Sequence, residues 1–128
     1  MAVTHSTAAR NAATDAVTAL IGASGRLKFH ITGSTVAAPS TVVANLALSA
    51  TAFGASATGT ATANAITSDT AAAGGTVAFA SLQTSGGTPV IHCAVAASAS
   101  DINMTNGLAV TAGDTVACSS LTYTALSA

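Results

Sequence analysis

The chain of 128 residues has only three basic and four acidic side chains, no glutamate and a formal net charge of −1, although half of its residues are hydrophobic by type. So few cations cannot neutralise a row of phosphates, which excludes nucleic-acid binding, and no run of strongly apolar residues reaches the ~18 that a membrane span requires. Soluble domains usually have about a quarter of their residues charged; here Thr, Ser, Ala and Asn take that place, giving a surface that is wettable yet cheap to desolvate, as expected of a part of an assembly.

The first element is a helix over residues 6–21, with Thr4 or Ser6 as N-cap, alanines at positions 8, 9, 12, 13, 16 and 19, and Gly22 and Gly25 as stops. Its apolar stripe, Ala9, Ala13, Ala16, Val17, Leu20 and Ile21, is light except at the last turn. The helix is therefore expected to pin to a sheet at its C-terminal end with its first turns free. Thr4, His5, Ser6 and Arg10 then offer donors to a partner outside the chain. His5, Arg10, Asn11 and Asp15 stand where a secretory signal needs an unbroken apolar core, so synthesis in the cytosol without export is expected.

After Gly25 the hydrophobic period changes from 3.6 to 2. Leu27, Phe29 and Ile31 alternate with Lys28, His30 and Thr32, and Val42, Ala44, Leu46 and Leu48 with Val43, Asn45 and Ala47. Residues 57–66 alternate strictly, with Thr58, Thr60, Thr62 and Asn64 on one face and small residues on the other, which suits a subunit contact; parts of 52–75 are alternatively loops. Further strands are expected over 76–83, 90–96 and 115–125, with a shorter one near 102–104 or 108–110. Turn chemistry lies between them at Gly33-Ser34, Pro39-Ser40, Phe53-Gly54, Gly74-Gly75, Gly86-Gly87, Asn106-Gly107 and Gly113-Asp114. The fold class that follows is mainly β, an antiparallel β-sandwich or jelly roll with one N-terminal α-helix: an arm and helix over 1–24 and a β-sandwich domain over 25–128.

Candidate chemistry is sparse. Ser24 and Ser56 lie near glycines, but neither makes the G-x-S-x-G elbow, and three of the four aspartates lie beside turns, where the backbone itself favours Asp. His5, His30 and His92 form no metal-ligand spacing; His30 and His92 alternate away from the apolar sides of their strands and are expected at solvent or an interface. Cys93 and Cys118 read as two reduced core thiols or one cross-strand bridge. No phosphate-cradling glycine motif occurs. The residues thus point to no catalytic role, no cofactor and no metal.

Three segments together resemble a known group. Thr4-His5-Ser6-Thr7-Ala8-Ala9-Arg10-Asn11 with Asp15, then Ala52-Phe53-Gly54-Ala55-Ser56-Ala57-Thr58-Gly59-Thr60-Ala61, then Gly113-Asp114-Thr115-Val116 and Leu121-Thr122-Tyr123-Thr124-Ala125 are similar to small virion proteins encoded beside the major capsid protein of tailed bacteriophages. The resemblance implies a capsid decoration or cement protein, a β-sandwich or jelly roll that assembles as a homotrimer and bridges capsomers on the capsid exterior, with the major capsid protein as partner. An interface is expected at Thr4, His5, Ser6, Arg10, Thr58, Thr60 and Thr62. The other reading is a tail- or fibre-associated structural or binding module; the scarcity of aromatics, Phe29, Phe53, Phe79 and Tyr123 only, disfavours a glycan platform.

Overall fold

The alanine-rich segment after Ser6 forms α1, Thr7–Ile21, in a computed structural model that describes residues 3–31, 41–98, 102–104 and 107–126. Thr32, the expected turns at Gly33-Ser34 and Pro39-Ser40, and Asn106 lie outside those residues. Of the two N-cap candidates Ser6 is the one used: its backbone is extended and its Oγ accepts the Ala9 N–H at 3.1 Å. Gly22 ends the helix at φ +70°, a conformation that a Cβ would oppose, with its N–H on the Ala19 carbonyl.

The face that α1 turns inward is not the predicted stripe. Thr14, Thr18 and Ile21 are buried, whereas Leu20 is 66 % exposed, Ala9 and Ala16 are exposed, and Ala13 and Val17 are half-buried. Only Ile21 of the six stripe residues belongs to the core. The reason lies beneath the helix, where a turn presents its backbone N–H and C=O groups, and hydroxyls and amides satisfy those groups as methyls cannot.

The chain is mainly β with one α-helix. β1 (Arg26–His30), β2 (Val42–Ala47), β5 (Phe79–Gln83), β6 (Pro89–Ala96) and β7 (Ile102–Asn103) form a five-stranded sheet in the order β2-β1-β5-β6-β7. Two ribbons of paired strands join it: β3 (Thr60–Thr62) with β9 (Thr122–Thr124), and β4 (Gly75–Thr76) with β8 (Ala109–Val110). Pairing is antiparallel except between β6 and β7, where Val95 and Ala96 run parallel to Ile102 and Asn103. Register brings Leu27 between Leu46 and Leu82, and Phe29 between Ala44 and Ala80, while Leu82 faces Ile91 and Ala80 faces Cys93. This row is the centre of the core.

The outer edge of β2 is covered rather than open. Thr67 donates to the Ala47 carbonyl at 2.8 Å, Ala73 to the Val43 carbonyl at 2.9 Å, and the Asn45 N–H reaches Asp69 Oδ2 at 2.9 Å. Asp69 in turn exchanges backbone bonds with Val116. The segment 67–73 thus passes pairing from the sheet to the C-terminal part of the chain, which curls the structure and removes an edge that could template aggregation.

Three strand expectations change. The alternating run 57–66 is broken by a tight turn in which Ala57 and Thr60 exchange both backbone bonds and Thr58 and Gly59 have φ of +53° and +82°. Only Thr60–Thr62 then pair as a strand. The run 115–125 pairs at Val116 and at Thr122–Thr124, with 117–121 irregular between them. The run 76–83 splits into β4 and β5, and both of the short strands posed as alternatives, β7 and β8, are formed. Cys93 and Cys118 are free thiols.

A fourth correction concerns His30, expected at solvent or an interface. It is fully buried, with Nε2 2.6 Å from Ser81 Oγ. Alternation away from Phe29 holds, but the second face of β1 and β5 is covered as well: Ser81 and Gln83 are 1 % and 3 % exposed. Half-buried Arg26 and Lys28 stand opposite Gln83 and Ser81 in register, and the Phe79 and His92 rings lie 5.1 Å apart beside them. Long cationic stems and aromatic rings can close such a face while their polar ends stay wet.

Candidate interaction surface

The helix is clasped to the Thr58-Gly59 turn by one side chain after another along its inner face. Arg10 Nη2 donates to the Thr58 carbonyl at 2.8 Å and its Nε to the Leu126 carbonyl at 3.1 Å. Asn11 Oδ1 accepts the Gly59 N–H at 2.8 Å, and Thr14 Oγ1 donates to the Gly59 carbonyl at 2.6 Å while accepting the Ala125 N–H at 3.1 Å. Asp15 Oδ1 accepts the Ser56 N–H at 3.0 Å. The helix is therefore docked through hydrogen bonds in its first three turns and through Ile21 at its end. The expectation that the first turns stay free is overturned, because charge-poor backbone within the chain already supplies the partners.

This clasp holds a strained turn. A β-branched residue at φ +53° is an outlier, and Gly59 is needed beside it because a Cβ there would meet the Arg10 side chain at 3.0 Å. Thr58→Asn, which keeps the carbonyl that Arg10 binds but tolerates the left-handed region, is expected to stabilise the fold by about 1 kcal/mol. An upward shift of the thermal midpoint would report it; a downward shift would show that the Thr58 hydroxyl or methyl has a role of its own.

With its polar side turned in, α1 presents its alanines outward. Ala8, Ala9, Ala12, Ala16, Ala19 and Leu20 are all exposed, and Val3, just before the helix, is 79 % exposed. At 100° per residue these helical positions fall within one contiguous face. The usual amphipathic helix is inverted here. A face of this kind loses little conformational entropy on burial, since alanine has no side-chain rotamers to freeze, and it lets a partner backbone come close.

The interface residues expected from sequence divide accordingly. Thr4 and His5 are exposed ahead of the helix; Ser6 is committed to its cap and Arg10 to the clasp. Thr58 is exposed in the turn, Thr62 is exposed on β3, and Thr60 shares a 2.6 Å hydroxyl contact with Thr124 across the β3–β9 ribbon. What sequence reasoning missed is the alanine face itself. Its signal is present in the sequence: the rule that apolar faces are buried turns the heavier stripe inward, although Thr14 and Thr18 with Arg10 and Asn11 form an equally regular polar stripe opposite it.

Two concavities flank this architecture. One, of about 570 Å³, has Phe29 at its floor and is walled by Ile102, Met104, Val110, Val116, Cys118 and Leu121; among the described residues no histidine or cation lines it. The Cys118 thiol at its wall donates to the Ser120 carbonyl at 3.3 Å, and burial pushes its pKa above the usual thiol range. At neutral pH Cys118 is therefore expected to alkylate more slowly than a free cysteine, and 8 % exposed Cys93 only on unfolding. Intact mass after iodoacetamide treatment, with and without denaturant, tests both. The other concavity, about 360 Å³, lies between α1 and the loop 50–55, with Asp15 and Ala19 on its helical wall.

The geometry nearest to catalysis is the Ser81–His30 pair, which has a nucleophile-to-base distance. Gln83 Nε2 also donates to Ser81 Oγ at 2.8 Å, and the hydroxyl's own proton is available to His30 Nε2 in the tautomer that carries its proton on Nδ1. Ser81 is 1 % exposed and lines neither of these concavities, and Gln83, Ser81 and His30 form a buried chain of hydrogen bonds. His92 Nδ1 is buried without a hydrogen-bond partner among the described residues. Among those residues no three His, Cys, Asp or Glu side chains are grouped to hold a metal, and no helix is long and apolar enough to cross a membrane. No family model, no curated protein and no solved structure matches the chain.

Proposed function

We propose that the protein is a virion structural protein of a tailed bacteriophage, a capsid decoration protein that stabilises the assembled head by bridging capsomers. The observation that carries this reading is the outward alanine face of α1 with Leu20 and Val3 exposed, on a chain whose surface has almost no charge to desolvate. Both features lower the cost of covering that face. The resemblance of the three segments to virion proteins supplies the identity of the assembly, and with it the expected homotrimer and the major capsid protein as partner. A protein that binds the assembled shell and not its free subunits adds stability to the shell by mass action, with no reaction to catalyse.

The test is co-sedimentation with shells that lack the protein. Saturable binding with a stoichiometry set by the capsomers, and a shell that resists heat or chaotrope better once decorated, are the expected results. Copies in small multiples of three or six per virion would place it in the tail instead, and no binding to either would refute the reading. Light scattering of the purified protein checks the trimer.

A further inference from the structure

We propose that the notch between α1 and the loop 50–55 is a socket for a lysine or arginine side chain of the protein's binding partner. The proposal rests on the reading that α1 faces a partner, and names the chemistry of one contact in it.

The notch measures about 360 Å³ and has Ala52 and Phe53, both buried, with Ala19, Ala50 and Ala55 along its walls. An aliphatic stem would lie against those methyls and the ring. Asp15 is the single charged side chain among the described residues that line it. One Asp15 oxygen accepts the Ser56 N–H at 3.0 Å; the other has no donor among the described residues. Arg10, five residues earlier, is turned to the Thr58 and Leu126 carbonyls. The carboxylate is thus held in place from one side and open on the other, on a chain with three cations in all.

Charge complementarity decides the occupant. An apolar side chain would gain the methyl walls but leave a carboxylate oxygen beside it less hydrated, whereas a lysine or arginine uses both, its stem on alanine and its head on Asp15. Ala19 belongs both to the wall of the notch and to the outward face of the helix, so a partner lying on that face has the notch at its margin. Contacts of this sort orient and select a partner more than they add affinity.

The probe is n-butylguanidinium, with n-butanol as the uncharged control, titrated into the isotopically labelled protein while amide resonances are followed. Butylguanidinium is expected to shift Thr18, Ala19 and Phe53 selectively, with the effect weakened by salt, and butanol to leave them in place at equal concentration. Asp15→Asn retains an oxygen for the Ser56 N–H and should melt as the parent does, yet bind the cation about three- to fivefold more weakly. Ala50→Leu, at an exposed position, should fill the notch and abolish the shifts. Equal shifts by butanol, shifts spread over all four aspartates, or unchanged binding by Asp15→Asn would each overturn the proposal. Because the titration uses the free protein, it can fail while shells still bind, and shell binding can fail while the titration succeeds.

Discussion

His30→Ala is expected to destabilise the protein by about 3 kcal/mol, since it empties a fully buried site and removes a hydrogen-bond partner of a buried hydroxyl. The ring is 0 % exposed and bonds Ser81, which also takes the Gln83 amide. After truncation the Ser81 hydroxyl has lost a partner in a place water reaches poorly, and the cost of that group adds to the cost of the void. Ser81→Ala should cost less alone, and the double variant should fall short of the sum of the two, because both single changes break the same bond. Chemical denaturation of the four proteins measures this directly. An unchanged midpoint for His30→Ala would return the residue to the outer, replaceable position that its alternation suggests.

That residue shows where the sequence is legible and where it is not. Period 2 at residues 27–31 correctly separates Leu27 and Phe29 from Lys28 and His30, because alternation is a property of the strand itself. Whether the second face is covered is a property of what packs on it. Nothing in the run Arg26–His30 announces that Ser81 and Gln83 from β5 will stand beside His30 and share its burial. The bulge at Phe29/His30, which buries both Val43 and Ala44 of β2, is equally invisible, since it depends on cross-strand register. The break in 57–66 was legible in principle: Thr58-Gly59 is a dipeptide able to turn, and its alternation on both sides hid it.

The helix shows the same limit for the candidate site. Its existence, its cap and its end follow from Ser6, the alanines and Gly22, all local signals. Its orientation does not, because a helix whose heaviest apolar residues are one leucine, one isoleucine and one valine has little hydrophobic preference for either side. With so small a difference, hydrogen bonds to Gly59, Ser56, Ala125 and Leu126 decide the rotation about its axis. Those partners lie some 41 to 116 residues away in the chain, so no window along the sequence contains them.

Thr14→Val is the sharpest test of that argument. Valine keeps the β-branch and nearly the shape, so what is lost is the hydroxyl that bonds the Gly59 carbonyl at 2.6 Å and the Ala125 N–H at 3.1 Å. Two backbone groups that Thr14 shields would be left unpaired, at about 1–3 kcal/mol each, and a total loss of about 3 kcal/mol is expected. Arg10→Ala should cost about 1 kcal/mol, because its carbonyl partners lie nearer to water and can be rehydrated. The two should couple, since Thr58 and Gly59 belong to one turn. Hydrogen exchange separates this from a general weakening: amides of α1 and of residues 57–60 should lose protection, while those of β1, β5 and β6 keep it. In the proposed assembly the consequence is directional. Leu20→Ser, on the outward face, should weaken binding to shells and leave the melting temperature in place; Thr14→Val should lower both, because it releases the element that carries the face. Loss of binding by Thr14→Val alone, with Leu20→Ser binding as the parent does, would mean that the turn and the β3–β9 threonines, and not the alanine face, meet the shell.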